Sequence, residues 1–100
     1  MPKYLVLYRS PVSAQEQMGN ATPEQAQAGM QAWQAWMEGA GSAIVDFGAP
    51  VQSDGSDVTG FSILQADSRG EIDQLLADHP HRQMPGASID VSEFVALPGM

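Results

Sequence analysis

The two histidines of this chain stand together, in His79-Pro80-His81-Arg82. Imidazole exchanges protons near neutral pH, so the pair suits general acid or base work. The proline between them stiffens the backbone and fixes where each ring points. A plainer role competes with this one: His79 closes a helix, where a cation meets unsatisfied carbonyls. Asp46 is the third candidate, because it interrupts the apolar run Ile44-Val45-Asp46-Phe47. A carboxylate in a sheet is costly unless paired or hydrogen-bonded. Asp46 either lines a cleft as a base with raised pKa, or sits at a wet edge or beside Arg9 or Arg82. Tyr8, Trp36 and Arg82 are candidate ligand-binding residues. They offer a phenol, an aromatic wall at the edge of a helix stripe, and a cation beside the histidines.

Other chemistries find no support. Zinc needs three or four ligands, and only Asp78 joins the histidines locally, so no metal is expected. The chain has no cysteine, which excludes disulfides, thiolate metal sites and cysteine nucleophiles. Ser10 and Ser13 lack a nucleophile-elbow context, and no histidine lies near them in sequence. Gly39-Ala40-Gly41 follows a helix, whereas glycine-rich phosphate loops precede one. What remains is proton transfer without a cofactor.

One hundred residues make one domain, 1–100, with a thin core for which oligomerisation is a common remedy. A hydrophobic share of 43% against 16% charged residues is globular composition, not disorder. The net charge of −8 leaves Lys3, Arg9, Arg69 and Arg82 as scattered cations. Nucleic acids and anionic membranes require clustered cations, so neither is an expected partner. The apolar run near the start is too short for a signal-peptide core, which predicts a cytoplasmic protein.

The elements that must hold these residues follow from periodicity. Residues 3–9 alternate, with Tyr4, Val6 and Tyr8 on one face and Leu5 and Leu7 on the other. Ser10 to Ala21 is polar and reads as a loop. Thr22-Pro23-Glu24-Gln25 starts a helix by a capping box, with an apolar stripe of Ala26, Met30, Trp33, Met37 and Ala40 and an end at Gly41. Residues 43–47 form a second strand. A turn-rich stretch too short for a helix joins them to a third strand at 58–66, so the two pair as an antiparallel hairpin. Ser68 caps a second helix that buries Ile72, Leu75 and Leu76 and stops before Pro80. Residues 88–95 are the last strand, and Pro98-Gly99-Met100 is a tail.

This order is the α+β, ferredoxin-like βαββαβ pattern, a four-stranded antiparallel sheet with both helices on one face. The other face also carries apolar residues, among them Leu5, Leu7, Val45, Phe47, Phe61 and Ile63. Left wet, such a patch exceeds what monomers tolerate. A second copy packed sheet to sheet covers it, which predicts a homodimer.

Gly60-Phe61-Ser62-Ile63-Leu64-Gln65-Ala66-Asp67-Ser68, Leu75-Leu76-Ala77-Asp78-His79-Pro80-His81, and Gly86-Ala87-Ser88-Ile89-Asp90-Val91-Ser92-Glu93-Phe94 with the closing Pro98-Gly99-Met100 resemble the YCII-related family. Lys3–Tyr8 and the stretch from Gly41 into Gly48-Ala49-Pro50 extend the likeness over nearly the whole chain. The resemblance implies a dimeric α/β barrel. One branch of the family is proposed to use a His–Asp pair in a cleft, its histidine near the start of the first helix; Thr22 to Gln27 holds none. Relatives often carry Asp-Pro after the second helix, where this chain has His79-Pro80 with Asp78 one place earlier. A branch tied to sigma factors has Asp-Gly-Pro-Phe, of which Asp54-Gly55-Ser56-Asp57 keeps two residues.

Two functions are thus expected. The first is a cofactor-free small-molecule enzyme or binder with acid/base groups in a sheet–helix cleft. The alternative is a non-catalytic dimeric interaction or regulatory module.

Overall fold

The computed structural model describes residues 1–98; the end of the expected tail, Gly99 and Met100, lies outside them. The chain runs β1 (Lys3–Arg9), α1 (Ala14–Asn20), α2 (Pro23–Ala40), a 3-10 turn at Gly41–Ala43, β2 (Ile44–Pro50), β3 (Val58–Gln65), α3 (Arg69–Leu76), a second 3-10 turn at Pro80–Gln83, and β4 (Ser88–Glu93). The strands form one antiparallel sheet in the order β2-β3-β1-β4. This is the expected α+β, ferredoxin-like architecture. Among the described residues no helix is long and apolar enough to cross a membrane.

The strand periodicity decides the core. Tyr4, Val6 and Tyr8 turn to one face and are buried with Leu64, Ala66, Ile72 and Leu76, while Trp33, Trp36 and Leu75 pack against them. Both α2 and α3 therefore cover that face. Leu5, Leu7, Phe61 and Ile63 are half-buried and pair with one another across β1 and β3 on the opposite face. Arg9 follows on the same face and forms ion pairs with Asp57, at 2.6 Å, and with Asp90.

Local signals account for the helix ends. Thr22 and Gln25 exchange side-chain and backbone hydrogen bonds as a complete capping box, Gly41 closes α2 at φ 54°, and Ser68 accepts from the Glu71 N–H.

Three expectations are corrected. The stretch expected as a loop, Ser10 to Ala21, contains α1, capped by Ser13, whose hydroxyl accepts from the Glu16 N–H. Only Ala14 of that helix is buried, so no apolar period betrays it. The stripe of α2 is rotated. Trp33, Trp36 and Ala40 face inward, whereas Met30 is 64% exposed and Met37 is also exposed. Advancing by 3.6 residues per turn, the change is about 40°. It is set by the Trp36 indole N–H, which donates to the Leu75 carbonyl at 2.8 Å and draws that side of α2 onto α3.

The third correction concerns β2. Its pairing with β3 slips on either side of Asp46, so simple alternation fails. Phe47, expected on the uncovered face, meets Trp33 edge-on at 5.8 Å instead. The bulge is built by Gly48, at φ 85°. A Cβ there would lie 1.6 Å from the Phe61 carbonyl oxygen, so only glycine fits.

Candidate functional site

The first strand and the segment after α3 meet in one aromatic cluster. Pro80 forbids further helix, and the chain turns inward at His79, whose backbone N–H still bonds the Leu76 carbonyl. The imidazole of His79 lies 4.9 Å from the Tyr8 ring in a stacked arrangement. It meets Trp33 and Trp36 edge-on, each at 4.4 Å. His81 flanks the other side of Tyr8 at 5.3 Å. Tyr8 and both histidines are buried, His79 to 1% exposure.

Hydrogen bonds fix both tautomers. His79 Nδ1 accepts from the His81 backbone N–H at 3.0 Å, so the proton of the neutral ring resides on Nε2. His81 Nε2 faces the Arg9 carbonyl at 2.8 Å and therefore carries the hydrogen. Tyr8 donates to Ser62 Oγ at 2.9 Å, and Ser62 donates onward to the Phe47 carbonyl at 2.7 Å. Every polar group of the cluster is thus engaged except one. His79 Nε2 is buried and has no hydrogen-bond partner among the described residues.

Burial is the main cause that pushes the His79 pKa down to about 3, reinforced by the nearby positive charges of His81 and Arg82. Burial likewise pushes the Tyr8 phenol up to about 12, against a smaller opposing pull from the Ser62 hydroxyl. At neutral pH the cluster holds an uncharged imidazole and an uncharged phenol. Its one free polar group is an N–H donor walled by rings.

The sequence candidates divide between this cluster and the rest of the molecule. His79, His81, Tyr8 and Trp36 come together. Arg82 stands beside them, but its Nε donates to the Leu76 carbonyl at 2.7 Å. It therefore fills the helix-end cation role considered for His79, whose ring is neutral and turned inward. Asp46 is elsewhere. It pairs across from Ile63 on the sheet face away from the helices, is exposed, and accepts from the Gly48 N–H at 2.8 Å. Its place in an apolar strand follows from that bulge-closing bond, and it contacts neither Arg9 nor Arg82 through a salt bridge among the described residues.

Sequence reasoning assigned no polar role to Ser62, which sits in the apolar third strand. A small hydroxyl opposite Val6, on the core face of an otherwise apolar strand, was the available signal.

Two clefts open at the ends of the sheet. One, of 280 Å^3, lies beyond β1 between Ser13 and Glu16 of α1 and the Gln52–Asp57 loop. The other, of 360 Å^3, lies near Met1, Ala40, Gln65 and Leu75. The histidines line neither.

Comparison with known proteins places this geometry in a fold. A solved structure of 5-chloro-2-hydroxyhydroquinone dehydrochlorinase from Burkholderia phenoliruptrix AC1100, in complex with 2,5-dihydroxybenzoquinone, superposes with a TM-score of 0.62. It is 19% identical and the match covers 93% of each chain. The likeness shows the fold and agrees with the barrel superfamily that the YCII-related resemblance implies. No family model and no curated protein matches the chain.

Proposed function

We propose that this chain is a cofactor-free small-molecule binder or acid/base enzyme, working as a homodimer, with His79 as its central polar group. The observation that carries this reading is the buried, unpartnered Nε2–H of a neutral imidazole walled by Tyr8, Trp33 and Trp36. An orphaned donor in an apolar cage loses a hydrogen bond worth 1–3 kcal/mol, by order of magnitude about the cost of one unsatisfied group. A ligand acceptor recovers that loss.

The ligand class follows from the walls. Rings accept flat, conjugated molecules, and a neutral N–H polarises a carbonyl or enolate oxygen without carrying net charge. The dihydroxybenzoquinone bound to the dehydrochlorinase of the same fold has that chemistry. His79 acts here as electrophile or general acid, since its Nδ1 is engaged and its Nε2 is already protonated. His81 positions it through the backbone N–H. Entry requires α2 to shift, and its inner face rests mainly on two indoles and Ala40.

The dimer reading rests on the face formed by Leu5, Leu7, Phe61 and Ile63, which has no helix over it among the described residues. Apolar surface of that kind favours burial against a second sheet about 10 Å away.

A panel of planar hydroxyquinones and enones, 2,5-dihydroxybenzoquinone included, tests the site by thermal shift and by imidazole 15N NMR. A binding compound should raise Tm and move the His79 Nε2 resonance, and His79→Asn should abolish both effects. Binding that survives this substitution, or no binding by any compound, would leave the non-catalytic interaction module as the better reading.

A further inference from the structure

The segment that follows β4 carries three large apolar side chains in the open. Phe94 is 50% exposed, Val95 86% and Leu97 63%. Phe94 is still tied to the sheet, its N–H donating to the Lys3 carbonyl at 2.9 Å, so the segment leaves from the β4 edge beside β1. Three such residues in four positions form a patch that water disfavours.

Area arithmetic indicates what covers it. Four strands about 4.8 Å apart and roughly 20 Å long present ~400 Å^2 in projection. Only the middle of that face is apolar. β1 and β3 contribute Leu5, Leu7, Phe61 and Ile63, whereas β4 contributes Ser88, Asp90 and Ser92 and β2 contributes Asp46. A stable interface buries about 800 Å^2 on each partner, twice the whole face. The sheet therefore falls short by itself, and the segment after β4 starts at the edge of that same face.

We infer that Phe94, Val95 and Leu97 form an arm that packs against a second copy of this chain, extending the sheet-to-sheet contact past its polar β4 margin. The inference rests on the dimer reading above. It adds a specific element to it: the arm, not the strand face alone, sets the affinity between subunits. The three residues are exposed in the single subunit, so polar replacements leave its fold intact.

The experiment is sedimentation velocity over a dilution series of the full chain and of the triple variant Phe94→Ser, Val95→Ser, Leu97→Ser, with circular dichroism as the fold control. The wild type should be dimeric, and the triple variant should keep its spectrum while its dimer Kd rises on the order of a hundredfold. A dimeric wild type with an equally tight triple variant would overturn the arm and leave the dimer standing. A wild type that stays monomeric at every concentration would overturn the dimer reading, and the arm with it. If the triple variant loses its spectrum, the arm packs on its own subunit and the inference is wrong.

Discussion

Lowering the pH should unfold this protein through His79. The ring is neutral in the fold, with its pKa pushed down to about 3 by burial and by the positive charges of His81 and Arg82. In the unfolded chain the same ring titrates near 6.5. Between these values the unfolded state binds a proton that the fold refuses, so stability is full above about pH 6.5 and is lost as pH falls towards 3. Linkage puts the loss at about 2 kcal/mol between pH 7 and pH 5, and about 1.4 kcal/mol for each further unit until pH 3. A domain of this size has roughly 5–15 kcal/mol in total. The first two units alone should lower Tm by roughly 8–16 °C.

His79→Asn separates this titration from the rest, since its side-chain oxygen can still accept from the His81 N–H and has no proton to gain. Urea melts at pH 7, 6, 5 and 4 should give the wild type a steeper loss by close to one proton. Carboxylates and His81 titrate in both proteins and cancel. Parallel pH profiles would mean that His79 is solvated or paired in solution, and the orphaned donor would disappear from the account of the site.

Two further outcomes test the frame around the cluster. Gly48→Ala should destabilise by about 3 kcal/mol or more, because the new methyl meets the Phe61 carbonyl at 1.6 Å and the backbone is left-handed; a urea midpoint unchanged from wild type would refute the bulge. Trp36→Phe removes the indole N–H that holds the Leu75 carbonyl, and a loss of about 1–2 kcal/mol is expected in the same assay. A loss near zero would show that ring packing alone sets the rotation of α2.

The elements with strong local signals were legible in the sequence. Thr22-Pro23-Glu24-Gln25, Ser68 and Pro80 each act within a few residues, and the alternation of Tyr4 to Tyr8 alone separates the two sheet faces. So was the gathering of His79, His81, Tyr8 and Trp36, at the level of candidates. What escaped depends on distant partners. The rotation of α2 is decided by Leu75, thirty-nine residues from Trp36. The bulge of β2 is decided by the carbonyl of Phe61, and it takes Asp46 out of the apolar pattern for a reason no spacing rule contains. Helix α1 has no apolar face to announce it.

Trp33 and Trp36 are the chain's two tryptophans, and both touch the same imidazole. Ultraviolet emission from this protein therefore originates beside one buried ring. A change in its colour or intensity reports the neighbourhood of His79 before anything else, so a single unlabelled sample can follow acid, ligand or movement of the long helix without an added dye.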